Sequence, residues 1–460
     1  MPRYSCLAEI VRLNPHLSPT DPLQLPMKVR GLLEDEYKFF RGTADLFYLF
    51  CRTACRDWLG DAKTLILLHG DLHLGNLGTY RSLGDDHVAL SFAVVDLDEA
   101  VQGDFRLDLL RALTSLRALA DAHAVPLSNP QWREISGLLV AGYRDGLSVA
   151  ETRSLALRHK PVRKLLDKAE AGNPKEYLAR YVTPRLPRRF LPLRLKDGRP
   201  ADLMRPVDAE RRQELIDALW MGLSQGENRL LPARLRFLSR ADLRQAVLDM
   251  AEWTRLDSSG SQGLHKYLVL LDRSAAQQDS SGGPDADPVI IQLKEQPPPA
   301  AMRAGLLSAD TSPSRAKEVA KAYQRLVEPD RWLVSYLAIG NRGFVVLTKD
   351  AWGEEFSAKP FVSLDGLRDA ARILGEATGR AHRSAVTFSP DEQHRLKPLL
   401  AAADDHLAEV LCVRSAEAAD HLRRLFRELR DDPKALALAE KADSAIREAV
   451  RAAESSSRSP

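Results

Sequence analysis

Residues 67–78 read LLHGDLHLGNLG, directly after the apolar run TLILL at 64–68. An apolar run that empties into a glycine-punctuated polar loop predicts a short buried strand with a functional loop at its end. Two chemistries use these residue types. His69, Asp71 and His73 form an H-x-D-x-H set, to which Asp96 and Asp98 can add oxygens, as in a zinc or dinuclear hydrolase. That reading leaves Asn76 without a task, and the other histidines form no comparable cluster. Phosphoryl transfer uses more of the stretch. It needs a carboxylate to take the acceptor's proton and, five residues on, an amide oxygen that reaches a metal; Asp71 and Asn76 have that spacing. Gly70 and Gly75 permit the tight path, and His73 braces the loop.

Working outward, HVALSFAVVDLDEA (87–100) predicts a second strand reached through the turn signal LGDD. It ends on Asp96, where a phosphoryl-transfer site needs its second metal-binding carboxylate. Asp98 is expected to bind a second metal ion or to cap the next segment. Residues 29–59 have helical periodicity, and FRLDLLRALTSLRALADAHAV (105–125) predicts a long helix stopped by Pro126. From about 130 to 250 the pattern is mostly helical, with the basic, proline-rich RLPRRFLPLRLKDGRP as a surface crossing or a lid over an anionic substrate. Strand-like alternation begins near 254 in HKYLVLLDR, DPVIIQLKE, RWLVSYLA and GFVVLTKD, with one helix, SRAKEVAKAYQRLV, in the middle. The remainder from about 363 is helical.

The bulk composition fits this organisation. The 460 residues are 44% hydrophobic and 28% charged, with a formal net charge of +3, too small to imply a polyanionic partner such as nucleic acid. The N-terminal residues show no secretory signal pattern, and no apolar run is long enough to cross a membrane. Cys6, Cys51, Cys55 and Cys412 form no disulfide framework. The expectation is a cytoplasmic α+β protein in four stretches: 1–125 with the catalytic loop, 126–250 as a helical insert or substrate region, 251–350 as a β-rich nucleotide unit, and 351–460 as a helical remainder.

HGDLHLGN followed by VVDLDEA resembles the G-D-x-H-x-x-N and I-D-x-[ED] motifs of aminoglycoside phosphotransferases and choline kinases, which have the protein-kinase-like fold. FFRGTAD, HGDLHLGNLG, VVDLDEAVQGDFRLDLLRALTS and VIIQLKE, in that order over residues 35–385, look like an uncharacterised bacterial family, domain of unknown function 2252. The phosphotransferase resemblance implies Asp71 as base, Asn76 and Asp96 as magnesium ligands, and Asp108 as the aspartate that hydrogen-bonds the catalytic loop from the next helix. Asp98 stands where many small-molecule kinases have glutamate.

A kinase runs glycine-rich loop, strand lysine, helix glutamate, catalytic loop and metal aspartate. Here only about seventy residues precede Asp71, and they look helical. The nucleotide parts are expected later: Gly260, Ser261 and Gly263 as a small-residue phosphate loop, Lys294 on a buried strand, and Glu318 on the following helix as its carboxylate partner. Glu295 would point to the opposite face. The helix SLDGLRDAARILGEATGRAH resembles the one that leads into a kinase catalytic loop, yet it follows everything else. The order implies a circularly permuted, two-lobed kinase-like fold, tolerable where the original termini were adjacent.

The expected activity is transfer of the γ-phosphoryl of ATP, with magnesium, to an unidentified hydroxyl on a small molecule or protein. Nucleotidyl transfer, a nucleotide-binding pseudokinase and a His/Asp metal hydrolase are the competing readings. Arg41 is expected to contact a phosphate or the loop, or to form a structural salt bridge.

Overall fold

β1 (Leu65–Leu68) is buried over its last three residues and pairs antiparallel with β4 (Val101–Asp104). Between them β2 (Leu77–Leu83) and β3 (Val88–Val94) form a hairpin that brings Val95 back to the loop, its N–H donating to the Asn76 carbonyl at 2.8 Å. The strand pair and hairpin therefore hold both ends of the quoted stretch in place. The computed structural model describes residues 5–17, 22–83, 88–148, 155, 158–183, 187–191, 202–224, 239–255, 262–272, 288–308, 315–327, 334–349, 351–388 and 390–456.

The fold is α+β. Before β1 lie α1 (Cys6–Leu13), α2 (Gln24–Leu32), α3 (Glu36–Gly42) and α4 (Ala44–Ala54), and after β4 come α5 (Arg106–Ala122) and α6 (Asn129–Ser148). α5 stops short of Pro126. His123 caps it, Ala124 turns left-handed at φ 52°, and the Ala124 and Val125 N–H groups donate to Asp121 and Ala120 carbonyls. That bonding pattern ends a helix on its own. α7 (Lys160–Glu170) and α8 (Pro174–Tyr181) lead to the main sheet.

That sheet has six antiparallel strands in the order β5-β6-β7-β8-β10-β9: Asp202–Pro206, Val247–Arg255, Lys266–Leu271, Val289–Glu295, Arg342–Lys349 and Val334–Ile339. It begins some fifty residues before the boundary expected at 251, so 126–250 is not a purely helical insert. Two local reasons hid the early strands. β5 is a five-residue edge strand ending in Pro206, and β6 follows α10 (Arg240–Ala246) with no residue between, so no turn signal marks the change of period. Alternation assigns the two faces. Ile291 and Leu293 of β8, with Val269, Leu271, Phe344 and Val346, pack under Leu215, Ile216 and Leu219 of α9 (Ala209–Ser224). Ile290, Gln292 and Lys294 face the other way.

After β8 come α11 (Ala300–Arg303) and α12 (Arg315–Leu326), and after β10 come α13 (Leu364–Thr387), α14 (Leu396–Ala402), α15 (Asp405–Arg430) and α16 (Pro433–Ser456). α13 lies backbone against backbone on α6: a Cβ on Gly375 would sit 2.1 Å from the Leu139 carbonyl oxygen, and one on Gly146 would sit 2.2 Å from that of Glu376. This contact draws α13 beneath α5 and β1. α15 and α16 close over the N-terminal helices, with the Cys6 N–H donating to Glu428 and Arg30 paired to Asp443. The first and last stretches thus share one apolar core. Among the described residues no helix is long and apolar enough to cross a membrane.

Candidate active site

The loop is fixed from below by one carboxylate. Asp108, fully buried on α5, accepts the His69 N–H at 2.7 Å and the Gly70 N–H at 2.9 Å, and His382 Nε2 of α13 lies 3.0 Å from the same group. Burial opposes its charge, yet these donors hold its pKa below the ordinary carboxylate value. Gly70 has φ 84°, and a Cβ there would lie 2.0 Å from the Glu99 carbonyl oxygen, so only glycine fits.

His69 is fully occupied: Nδ1 accepts the Asp71 N–H at 3.1 Å, and Nε2 donates to the Val95 carbonyl at 2.9 Å. With both ring nitrogens spent on backbone it ties the loop to the strand before Asp96. It does not join Asp71 and His73 as a metal ligand. Among the described residues no group of three His, Cys, Asp or Glu side chains could hold a metal ion, so the hydrolase set does not assemble.

Asp71 presents its carboxylate to a cavity of about 530 Å³ between the helical half and the sheet. Arg111 Nη2 lies 2.8 Å and Nε 3.0 Å from its Oδ1, and His73 Nε2 is 3.8 Å from Oδ2. Burial raises the Asp71 pKa, against the pull of Arg111. Burial, with the nearby Arg41 and Arg111 charges, drives His73 well below its ordinary value, so it stays neutral. Asn76 donates from Nδ2 to the Asp71 carbonyl at 2.8 Å, which leaves its amide oxygen for another partner.

Opposite stands the sheet. Lys294 reaches Asp96 Oδ1 at 2.7 Å and also contacts Asp98, across 198 residues of sequence. Asp96 sits at φ 60°, a left-handed backbone that turns its carboxylate out of the strand line. Desolvation by the cavity walls opposes charge at both aspartates, though the Asp96 side chain is half exposed and Asp98 is mostly covered. Lys294 overcomes this at Asp96 and holds it below the carboxylate range, whereas Asp98, facing Asp96 as well, is pushed up to about 6. Burial would lower the Lys294 pKa, but the two carboxylates outweigh it and raise it. Gln296 donates to Asp98 at 3.0 Å, and Arg315 of α12 donates to the Asp98 and Ala100 carbonyls at 2.6 Å each. Lys266 stands directly across from Lys294 on β7 and also lines the cavity, as do Trp253 and Lys349.

The structure therefore brings Asp71, His73, Asn76, Asp96, Asp98, Lys294 and Arg41 to one cavity. Glu318 is not among them. It lies on the solvent side of α12, paired to Lys321 at 3.1 Å, and Asp96 and Asp98 hold Lys294 instead. The correction follows from helical phase: on α12 it is Tyr323, five residues on, that lines the cavity and bonds the Leu97 N–H through its hydroxyl. Gly260 and Ser261 lie outside the described residues. Gly263, at φ 85°, packs against His16 and Leu17 rather than lining the cavity. Sequence reasoning missed Arg111, although a cation one turn after Asp108 in an apolar helix was a signal. It also missed Lys266, whose place depends on strand register.

A family model described as "Uncharacterized protein conserved in bacteria (DUF2252)" matches residues 20–432. No curated protein and no solved structure matches the chain. The matched span holds the loop, the strand-end aspartates and the lysine strand alike, and the chain belongs to this bacterial family, DUF2252.

Proposed function

We propose that the chain is an ATP- and magnesium-dependent phosphotransferase with a circularly permuted kinase-like fold. One observation carries the reading: the Asp71–Asn76 loop and the Lys294–Asp96 pair, brought from stretches about 200 residues apart, face one cavity. Chain order on the sheet supports it. Lys294 lies on the third strand of the meander β6-β7-β8, and the one-turn α11, the longer α12 and two further strands follow; three strands, a main helix and two strands is the order of a kinase nucleotide lobe.

Asp71, buried enough to raise its proton affinity and oriented by Arg111, takes the acceptor hydroxyl's proton. Asn76, Asp96 and Asp98 offer oxygen donors only, which suits a hard cation leaning on substrate phosphates. When bound, magnesium neutralises charge on the transferring phosphoryl group. Lys294 and Lys266 supply fixed positive charge for the donor's phosphates, so the barrier falls by placement and electrostatics rather than covalent chemistry.

The test is thermal unfolding with and without magnesium-ATP for wild type, Asp96→Asn and Lys294→Met. Ligand at about a hundred times its dissociation constant adds roughly 2.7 kcal/mol. A clear shift in wild type that both variants lose supports the site; no shift with magnesium-ATP removes it. The mass of the modified acceptor then separates phosphoryl from nucleotidyl transfer.

A further inference from the structure

The cavity has a second end that the nucleotide reading leaves unused. Its wall is built by α3 and the residues after it, which present Lys38, Arg41, Gly42 and Ala44. Arg41 is the cation to explain. Among the described residues no carboxylate pairs with it, and its Nε is buried without a hydrogen-bond partner. Its guanidinium lies against the loop: a Cβ on Gly75 would be 3.0 Å from Arg41 Nη2, 3.1 Å from its Cζ and 3.3 Å from His73 Cε1. The adjoining His73 Nδ1 is likewise buried and without a partner.

Two buried, unmatched polar groups beside one cavity each carry a desolvation cost that a ligand can relieve. Both sit on the Asp71 side. Lys294 pairs with Asp96 and Asp98, whereas Arg41 lies 5.9 Å from the Tyr37 ring centroid and against Gly75 beside His73, so the two cations have different neighbours along the cavity wall. The donor's phosphates already have Lys294 and Lys266. A planar guanidinium held against a glycine suits bidentate binding of an oxyanion.

Resting on the phosphotransferase reading, we infer that the hydroxyl acceptor carries an oxyanion, phosphate or carboxylate, which Arg41 binds beside Asp71. The acceptor is thus a hydroxyl compound that also bears an anionic group, not a cationic one.

The experiment is calorimetric titration of inorganic phosphate and of malonate into the full-length protein, with and without saturating magnesium and a non-hydrolysable ATP analogue. Wild type is expected to bind at least one anion, and Arg41→Met to weaken that binding about tenfold or more while nucleotide affinity stays within about twofold. Arg41→Lys, which keeps the charge but not the fork, falls between. Preference for phosphate or for malonate tells a phosphorylated from a carboxylated acceptor. The inference is overturned if wild type binds neither anion, if Arg41→Met leaves anion binding unchanged, or if that variant instead weakens the nucleotide. Should the nucleotide fail to bind while Arg41→Met still abolishes anion binding, the oxyanion site stands and the phosphotransferase reading falls.

Discussion

Asp108 and His382 lie 274 residues apart in the chain and 3.0 Å apart in space, both fully buried. Through this pair the late helix α13 grips the carboxylate that holds the His69 and Gly70 backbone. The His69–Asn76 loop is therefore anchored from the far end of the sequence.

Asp108→Asn keeps the shape and loses the chemistry. An amide has one acceptor oxygen where the carboxylate serves three donors, and its NH₂ would face one of them. The expected loss is about 3 kcal/mol, read as a fall in the urea midpoint at pH 7. The native pKa of Asp108 lies below the roughly 3.9 of an unfolded aspartate. Its stabilisation is thus complete above that value and lost as pH falls through the native one. The gap between wild type and variant should narrow in acid; an equal gap at pH 7 and pH 3 would refute this account.

Asp98 works in the opposite sense. Its native pKa of about 6 lies above the unfolded value, so ionising it opposes folding. That cost appears as pH rises from about 4 to 6 and is constant above. Asp98→Asn keeps an acceptor for Gln296 and removes a buried charge and its repulsion with Asp96, which together outweigh the loss of the Lys294 ion pair. It should raise the stability of the protein by about 1–2 kcal/mol at pH 7.5 and by little near pH 4. Thermal midpoints across that range check the sign, and a variant less stable than wild type at pH 7.5 would reverse it.

Two glycines of the loop should respond differently to alanine. At Gly70 the added Cβ meets backbone, the Glu99 carbonyl, at 2.0 Å with φ 84°, so the loop cannot hold its path. Gly70→Ala is expected to cost more than about 3 kcal/mol or to abolish soluble expression. At Gly75 the Cβ meets the end of the Arg41 side chain at 3.0 Å, which can move. Gly75→Ala should cost under about 1 kcal/mol, and parallel denaturation curves of the two variants measure the contrast.

Much of the site was legible because its chemistry sits in short contiguous motifs. The spacing of Asp71, Asn76 and Asp96 survives any rearrangement of the rest of the chain, and the alternation of VIIQLKE placed Lys294 on the face opposite Glu295. What was lost depends on partners distant in sequence. The carboxylate beside Lys294 belongs to whichever strand end reaches it, and Asp96 and Asp98 arrive before Glu318 can. The early edge of the sheet was hidden because β5 is too short, and β6 too abruptly joined to α10, for a period change to register.

Ala124 ends α5 in the left-handed region at φ 52°, where a Cβ is strained and glycine is the usual occupant. The hydrogen bonds of the cap come from the Ala124 and Val125 backbone N–H groups, so removing the methyl leaves them intact. Against the relieved strain stands the greater freedom of glycine in the unfolded chain, which reduces the benefit without cancelling it. Ala124→Gly is expected to raise stability by about 0.5–1 kcal/mol and to leave the loop at Asp71 undisturbed, because the cap lies at the end of α5 remote from Asp108 and Arg111. Chemical denaturation provides the measurement; a destabilised variant would mean that residue 124 is not left-handed in solution and that α5 ends differently.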